Sequence, residues 1–283
     1  MSASMTTEIS GLAPPTTGRR LAKKLAIVLD DVRPSEHGAV VLAYHRVGAL
    51  TPSPVDMATA MFRRQMAHLR ACGQVASLDA VIDGLLDPSA HDASAVSVTF
   101  DDGTADFVDV ALPILVEFEI PTTLYLATSF VDSGEHYPAE GKPVSWGALR
   151  DAVSTGIVSI GAHTHNHVLL DRCSTERAAS ELEICGARIE DELGVTPRHF
   201  AYPKAVAGSP EVEGLIRSRY RSAAVAGTRP NRPGSVDVHR LHRSPIQNAD
   251  GWDGFVRKTS GGMRTEDDLR RLVNVVRDWG KTS

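Results

Sequence analysis

Two kinds of hydrophobic pattern alternate along the chain. Short apolar or alternating runs, at residues 39–44, 96–100, 121–128, 158–162, 199–203, 221–226 and 240–246, have the length and period of strands. Between several of them, apolar residues recur every three or four positions, the period of a helix face. Such faces are Phe62, Met66 and Leu69; Phe107, Val110, Ala111, Ile114, Leu115 and Phe118; and Leu182, Cys185, Ile189 and Leu193. The helix ends are marked chemically: Ser145, Ser174 and Ser209-Pro210 are starts, and Gly73, Gly156 and Gly194 are stops. Residues 265–279 read as a closing helix, and 19–32 as an amphipathic one with Leu21, Leu25, Val28 and Leu29 on one side. Seven short strands mostly separated by helices predict a parallel sheet with helices outside it. Periodicity leaves open whether that sheet closes on itself.

Two of the strands end in reactive side chains. Val96, Val98 and Phe100 alternate with Ser97 and Thr99, as on a strand with one buried face, and the run ends in Asp101-Asp102-Gly103. Neighbouring strand residues point to opposite faces. A turn begun at Gly103 is therefore needed to bring both carboxylates to one pocket. Acidic turns also cap helices, so this motif gains meaning only with a partner. The partner is His163-Thr164-His165-Asn166-His167, which ends the run at 158–162. His163 and His167, four apart, can converge on one ion, which leaves His165 pointing elsewhere. Parallel strands bring such ends to one face. Two histidines and one aspartate suit zinc and similar first-row metals with a position open for water or substrate, and a second aspartate remains as base.

Composition narrows the class. A chain of 283 residues can bury a full core. A formal net charge of −5 without a Lys/Arg-rich run gives no signature for nucleic acid. Cys72, Cys173 and Cys185 are too few and too dispersed for a disulfide framework, and an odd count suits a reducing compartment. Residues 1–17, rich in Ser, Thr and Pro, read as a disordered tail and not as a secretory signal. No apolar run approaches the roughly 20 residues that span a bilayer. The expectation is a soluble cytoplasmic protein.

The motifs together resemble the polysaccharide deacetylases of the NodB-homology type, a family of metal-dependent carbohydrate esterases. Thr99-Phe100-Asp101-Asp102-Gly103 resembles the family's TFDDG motif, and His163-Thr164 with His167 its H[ST]xxH motif. Phe200-Ala201-Tyr202-Pro203 is similar to the FAYP form of its third motif, and Tyr44-His45-Arg46 to the first strand of one branch. The resemblance spans residues 39–250 and implies a distorted (β/α)7 barrel. The tail at 1–17 and a helical extension at 18–38 would precede it, and a helical segment at 251–283 would pack on it. It further implies a divalent metal held by Asp102, His163 and His167, with Zn2+ foremost and Co2+, Ni2+ or Mn2+ as alternatives. Asp101 would be the base, and the backbone N–H of Lys204 would face the oxyanion.

The chain also departs from the family pattern. Its third motif continues as Lys204-Ala205 where the family usually has glycine, and Ala201 stands where many members carry arginine. The late Leu-x-His motif that supplies a proton donor in many members has no clear counterpart. His45 and His242 stand in for it equally, each at the end of a strand. Trp146 and Tyr202 are candidate substrate contacts that read equally well as packing residues.

The expected reaction is hydrolysis of the N-acetyl group of an amino sugar, on an intracellular glycoconjugate, nucleotide sugar or antibiotic intermediate. The same metal and base would serve another amide, such as a formamide or cyclic ureide. A catalytically degenerate sugar-binding barrel is the reading from another class, and the intact metal-plus-base set speaks against it. A glycosidase needs carboxylates roughly 5–10 Å apart across the sugar, a separation that adjacent residues on one turn do not provide.

Overall fold

The computed structural model describes residues 29–30, 36–89, 94–137 and 141–268. The expected tail at 1–17, most of the extension at 18–38 and most of the closing helix at 265–279 lie outside them. Strand β1 (Val40–Tyr44) is followed by a parallel ribbon of β2 (Arg46–Val47) and β3 (Asp56–Met57). Two-residue strands carry no readable period, so the sequence did not announce this ribbon. The other strands are β4 (Val96–Phe100), β5 (Thr122–Leu126), β6 (Val158–Ala162), β7 (His199–Ala201), β8 (Ser222–Ala226) and β9 (Leu241–Pro245). Strands β1, β4, β5, β6, β7, β8 and β9 pair in parallel in that order and close into a barrel. Closure comes from β9 against β1, with Val41 opposite Arg243 and Ala43 opposite Pro245.

Helices wrap the barrel: α1 (Thr59–Cys72), α2 (Leu78–Leu86), α3 (Leu112–Glu117), α4 (Thr128–Ser133), α5 (Trp146–Ser154), α6 (Thr175–Leu193), α7 (Pro210–Arg219) and α8 (Gly251–Thr259). A π-helical turn at Phe107–Ala111 leads into α3. The expected caps are present. Ser145 accepts the N–H of Ala148, Ser174 that of Arg177 and Ser209 that of Val212. Gly73 and Gly194 end α1 and α6 in the left-handed conformation that glycine adopts without strain.

Two apolar layers hold the assembly. Ala39, Val41, Tyr125, Ala201, Ala224 and Leu241 of the barrel join Leu78, Val81, Ile82 and Leu85 of α2 in the inner cluster. Residues of the opposite strand faces, Leu42, Val98, Leu124 and Phe200 among them, join the helices in the outer cluster. Phe100 lies 5.3 Å from Tyr44 and 5.0 Å from Phe107, ring to ring, just before the acidic turn. Removing so buried a ring typically costs about 3–5 kcal/mol, so this cluster fixes the strand end that carries Asp101. One expectation changes. Ser97 and Thr99 face no solvent: all five residues of β4 are buried. Thr99 donates to the Leu42 carbonyl at 2.8 Å and accepts from Arg243 at 3.2 Å, inside the barrel. Among the described residues, no helix is long and apolar enough to cross a membrane.

Candidate active site

The C-terminal ends of β4 and β6 meet at one mouth of the barrel. Asp101 still follows the ladder, its N–H donating to the Tyr44 carbonyl at 3.1 Å. Asp102 then adopts φ +75° and Gly103 φ +97°. The turn thus begins one residue earlier than glycine would suggest, at an aspartate, a residue type that visits this region more readily than most. The Asp102 carbonyl anchors it, accepting from Ala127 N–H at 3.1 Å and from the Tyr137 hydroxyl at 2.6 Å. Gly103 has no room for more: a Cβ there would sit 2.7 Å from the Leu126 side chain. The two carboxylates consequently face different partners.

Asp101 faces Arg243. The guanidinium donates from both terminal nitrogens, at 2.5 Å and 2.8 Å, and both side chains are buried. Tyr125 lies beneath, its ring centroid 5.0 Å from the guanidinium carbon. Burial alone would raise the Asp101 carboxyl, but the Arg243 charge and hydrogen bonds outweigh it and hold the group far below the usual carboxylate range. His45 is the next neighbour, with Nε2 3.9 Å from an Asp101 oxygen.

Asp102 faces the histidines. Its Oδ1 lies 3.7 Å from His163 Nε2 and 3.5 Å from His167 Nε2, and one ligand atom from each of the three residues falls within 4.8 Å of the others. The donor set fits a divalent metal in detail. Burial pushes the His163 imidazole down to about 4, so the ring is neutral. Its Nδ1 sits 2.7 Å from the Ala201 carbonyl, which can accept only an N–H, so the Nε2 lone pair is free toward Asp102. The loop between the ligands is unusual, with Thr164 at φ +62° and His167 at φ +52°. His165 turns away, its Nδ1 2.8 Å from the Thr128 hydroxyl.

The remaining candidates are placed unequally. His242 neighbours Arg243 on β9 and so points to the other face of that strand. It packs against Gly227, where a Cβ would meet its ring at 2.7 Å. The structure therefore brings His45 to Asp101 and directs His242 away. Tyr202 is fully buried in the outer layer, edge-on to Phe200 at 5.3 Å, and its position is one of packing. Trp146 begins α5 with its indole N–H given to Asp132 at 2.8 Å and with Arg188 5.6 Å over its ring. Lys204 has an exposed side chain and takes φ +52° directly after the FAYP segment. The sequence reading missed Tyr137 and Glu181, which hold the two ligand turns. For Glu181 a signal existed: it lies with Ala178, Leu182, Cys185 and Ile189 on the buried face of α6, where a charge is out of place.

Residues 89–213 match the family model described as polysaccharide deacetylase. Over that stretch, 125 of its 283 residues, the chain is similar to polysaccharide deacetylases. That family consists of hydrolases that remove acetyl groups. Among solved structures, IcaB from Ammonifex degensii aligns with this fold at a TM-score of 0.69 and 25% identity, over 81% of this chain and 98% of its own. The Streptococcus pyogenes deacetylase PplD in complex with acetate gives 0.69 at 19% identity, over 80% and 99%. A de-N-acetylase from Aggregatibacter actinomycetemcomitans gives 0.66 at 21%, over 78% and 99%; these last two share the fold. No curated protein sequence matches the chain significantly.

Proposed function

We propose that this domain is a metal-dependent hydrolase of the N-acetyl group of an amino sugar. One observation carries the reading: a cluster of two histidines and one aspartate stands beside a second, ionised aspartate with a separate partner. Asp102, His163 and His167 hold the ion, with Zn2+ the best match to the donor set. A divalent ion bound there polarises the acetamide carbonyl and acidifies water. Asp101 takes the proton of the attacking water. Arg243 fixes the plane of that carboxylate and keeps it ionised and ready to accept, though less basic than a free one. The backbone N–H of Lys204 is assigned to the oxygen on which charge develops. His45, beside Asp101, is assigned to protonate the leaving amine, a role that His242 on the opposite strand face does not fit. The unpaired cysteines Cys72, Cys173 and Cys185 favour a substrate in a reducing compartment.

The test is a substrate panel. Metal-loaded protein is incubated with N-acetylated amino sugars, nucleotide-linked and oligomeric, and with formamides and cyclic ureides, and the released acid is identified. Acetate from an amino sugar supports the proposal. Formate or a ring-opened ureide would move the activity to another amide. Tight sugar binding without any hydrolysis would make the domain a binding module.

A further inference from the structure

His163 is held at the end of β6 by the Ala201 carbonyl, but His167 sits four residues out on a loop whose backbone is twice left-handed. A carboxylate from α6 closes that loop. Glu181 accepts the backbone N–H of Asn166 at 2.7 Å on one oxygen and the Asn166 side-chain amide at 3.0 Å on the other. The Glu181 residue is only 5% exposed, and among the described residues no lysine or arginine pairs with it. A buried carboxylate without a cation is held by its hydrogen bonds alone, and here both come from the residue preceding His167. The geometry points to Glu181 as a positioning residue for the metal ligand His167: it fixes the 163–167 loop in the conformation in which both histidines face Asp102. This rests on the reading that Asp102, His163 and His167 hold a divalent ion. Thr164 assists by accepting Val168 N–H at 3.2 Å, and Thr128 draws His165 off the site.

The paired donors and acceptors allow an exchange. Glu181→Gln leaves one oxygen for the backbone N–H, and the Asn166 amide can turn over so that its Oδ1 accepts the new N–H; this variant is the control that keeps both bonds. Asn166→Asp sets two carboxylates against each other. In the double variant Glu181→Gln/Asn166→Asp, the amide oxygen at 181 accepts the backbone N–H and its amide N–H donates to the carboxylate at 166, so both bonds return. The experiment is a competition titration of the metal-free full chain with Zn2+ against a chromophoric chelator, with melting of the same metal-free samples as the folding control. Removing groups that orient metal ligands typically weakens affinity about 10–100-fold. Asn166→Asp should therefore bind Zn2+ at least about tenfold more weakly than wild type, Glu181→Gln should stay close to wild type, and the double variant should recover most of the Asn166→Asp loss. Asn166 is exposed, so its variant decides the matter even if Glu181→Gln fails to fold. Wild-type affinity in Asn166→Asp, or a double variant no better than Asn166→Asp, would overturn the assignment. A wild-type chain that binds no Zn2+ would instead overturn the metal site itself.

Discussion

Replacing Arg243 by methionine isolates the contact that separates the roles of the two aspartates. The Arg243 and Asp101 side chains are 3% and 7% exposed, and their two parallel hydrogen bonds span 142 residues of sequence. The substitution keeps much of the aliphatic volume but leaves a carboxylate buried without its counter-charge. Breaking a buried pair in this way costs about 3–5 kcal/mol. A direct Coulomb estimate agrees: two charges about 4 Å apart at an effective dielectric near 20 attract by about 4 kcal/mol. At about 2–4 °C per kcal/mol for a domain somewhat smaller than this one, melting should fall by roughly 6–20 °C. The assay is thermal or urea unfolding of metal-free wild type, Arg243→Met, Asp101→Asn and the double variant. Because the penalty belongs to the stranded charge, the double variant should lose less than Arg243→Met alone, a coupling well above the few tenths of a kcal/mol expected of independent sites. A loss below about 1 kcal/mol in Arg243→Met, as for an exposed pair, or simple additivity would refute the reasoning.

Three further outcomes are expected. His163→Ala and Asp102→Asn should each weaken metal binding measured by titration, whereas His165→Ala should leave most of it, and Asp101→Asn should keep the metal while turnover falls roughly 10²–10⁴-fold; equal metal loss in both aspartate variants would contradict the division of labour. His45→Ala should slow hydrolysis of an amide far more than that of an activated ester, whose leaving group needs no proton, and His242→Ala should change neither; the reverse pattern would reassign the donor. At the far end of the barrel, burial pushes the His199 imidazole down to about 4 despite Asp79 at 3.3 Å, with Arg198 and Arg221 adding to the depression. The folded state holds this ring neutral, so its contribution is complete above about pH 6.5 and is lost as pH falls from 6.5 toward 4, by about 3 kcal/mol at most. A His199→Gln variant should therefore show a flatter stability curve across that window, and parallel curves would exclude the effect.

The seven barrel strands were legible because β1, β4 and β5 are buried on every residue and so read as short apolar or alternating runs. Barrel closure was not readable from any local pattern. It depends on Val41 meeting Arg243 across some two hundred residues, and only the family resemblance implied it. The alternation in β4 was visible but its meaning was not, since its polar face looks into the barrel, where Thr99 meets the Leu42 carbonyl and Arg243, and not into water. The Asp102–His163–His167 cluster could be anticipated because each motif sits at a strand end, and parallel strands share a face. His242 and Tyr202 illustrate the converse. Placement at a strand end gives the level of a residue, while the side on which its chain emerges depends on register, which no sequence spacing fixes. Arg243 and His242 differ by one position and face opposite ways. Asp101 and Asp102 differ by one position too, and bringing both to one mouth required the left-handed turn at Asp102, which glycine at 103 only partly announced.

The central claim is tested most directly by stripping and reloading. The full chain is freed of metal with a chelator, titrated with Zn2+, and assayed for acetate release from N-acetylated amino sugars, with bound metal measured on the same samples. Acetate release should be absent from the stripped protein and should rise in proportion to occupancy of the single Asp102–His163–His167 cluster found among the described residues. In fully loaded Asp101→Asn it should be lower by roughly 10²–10⁴-fold. Full activity in the stripped protein, or a loaded protein that releases no acetate from any amino sugar, would contradict the account.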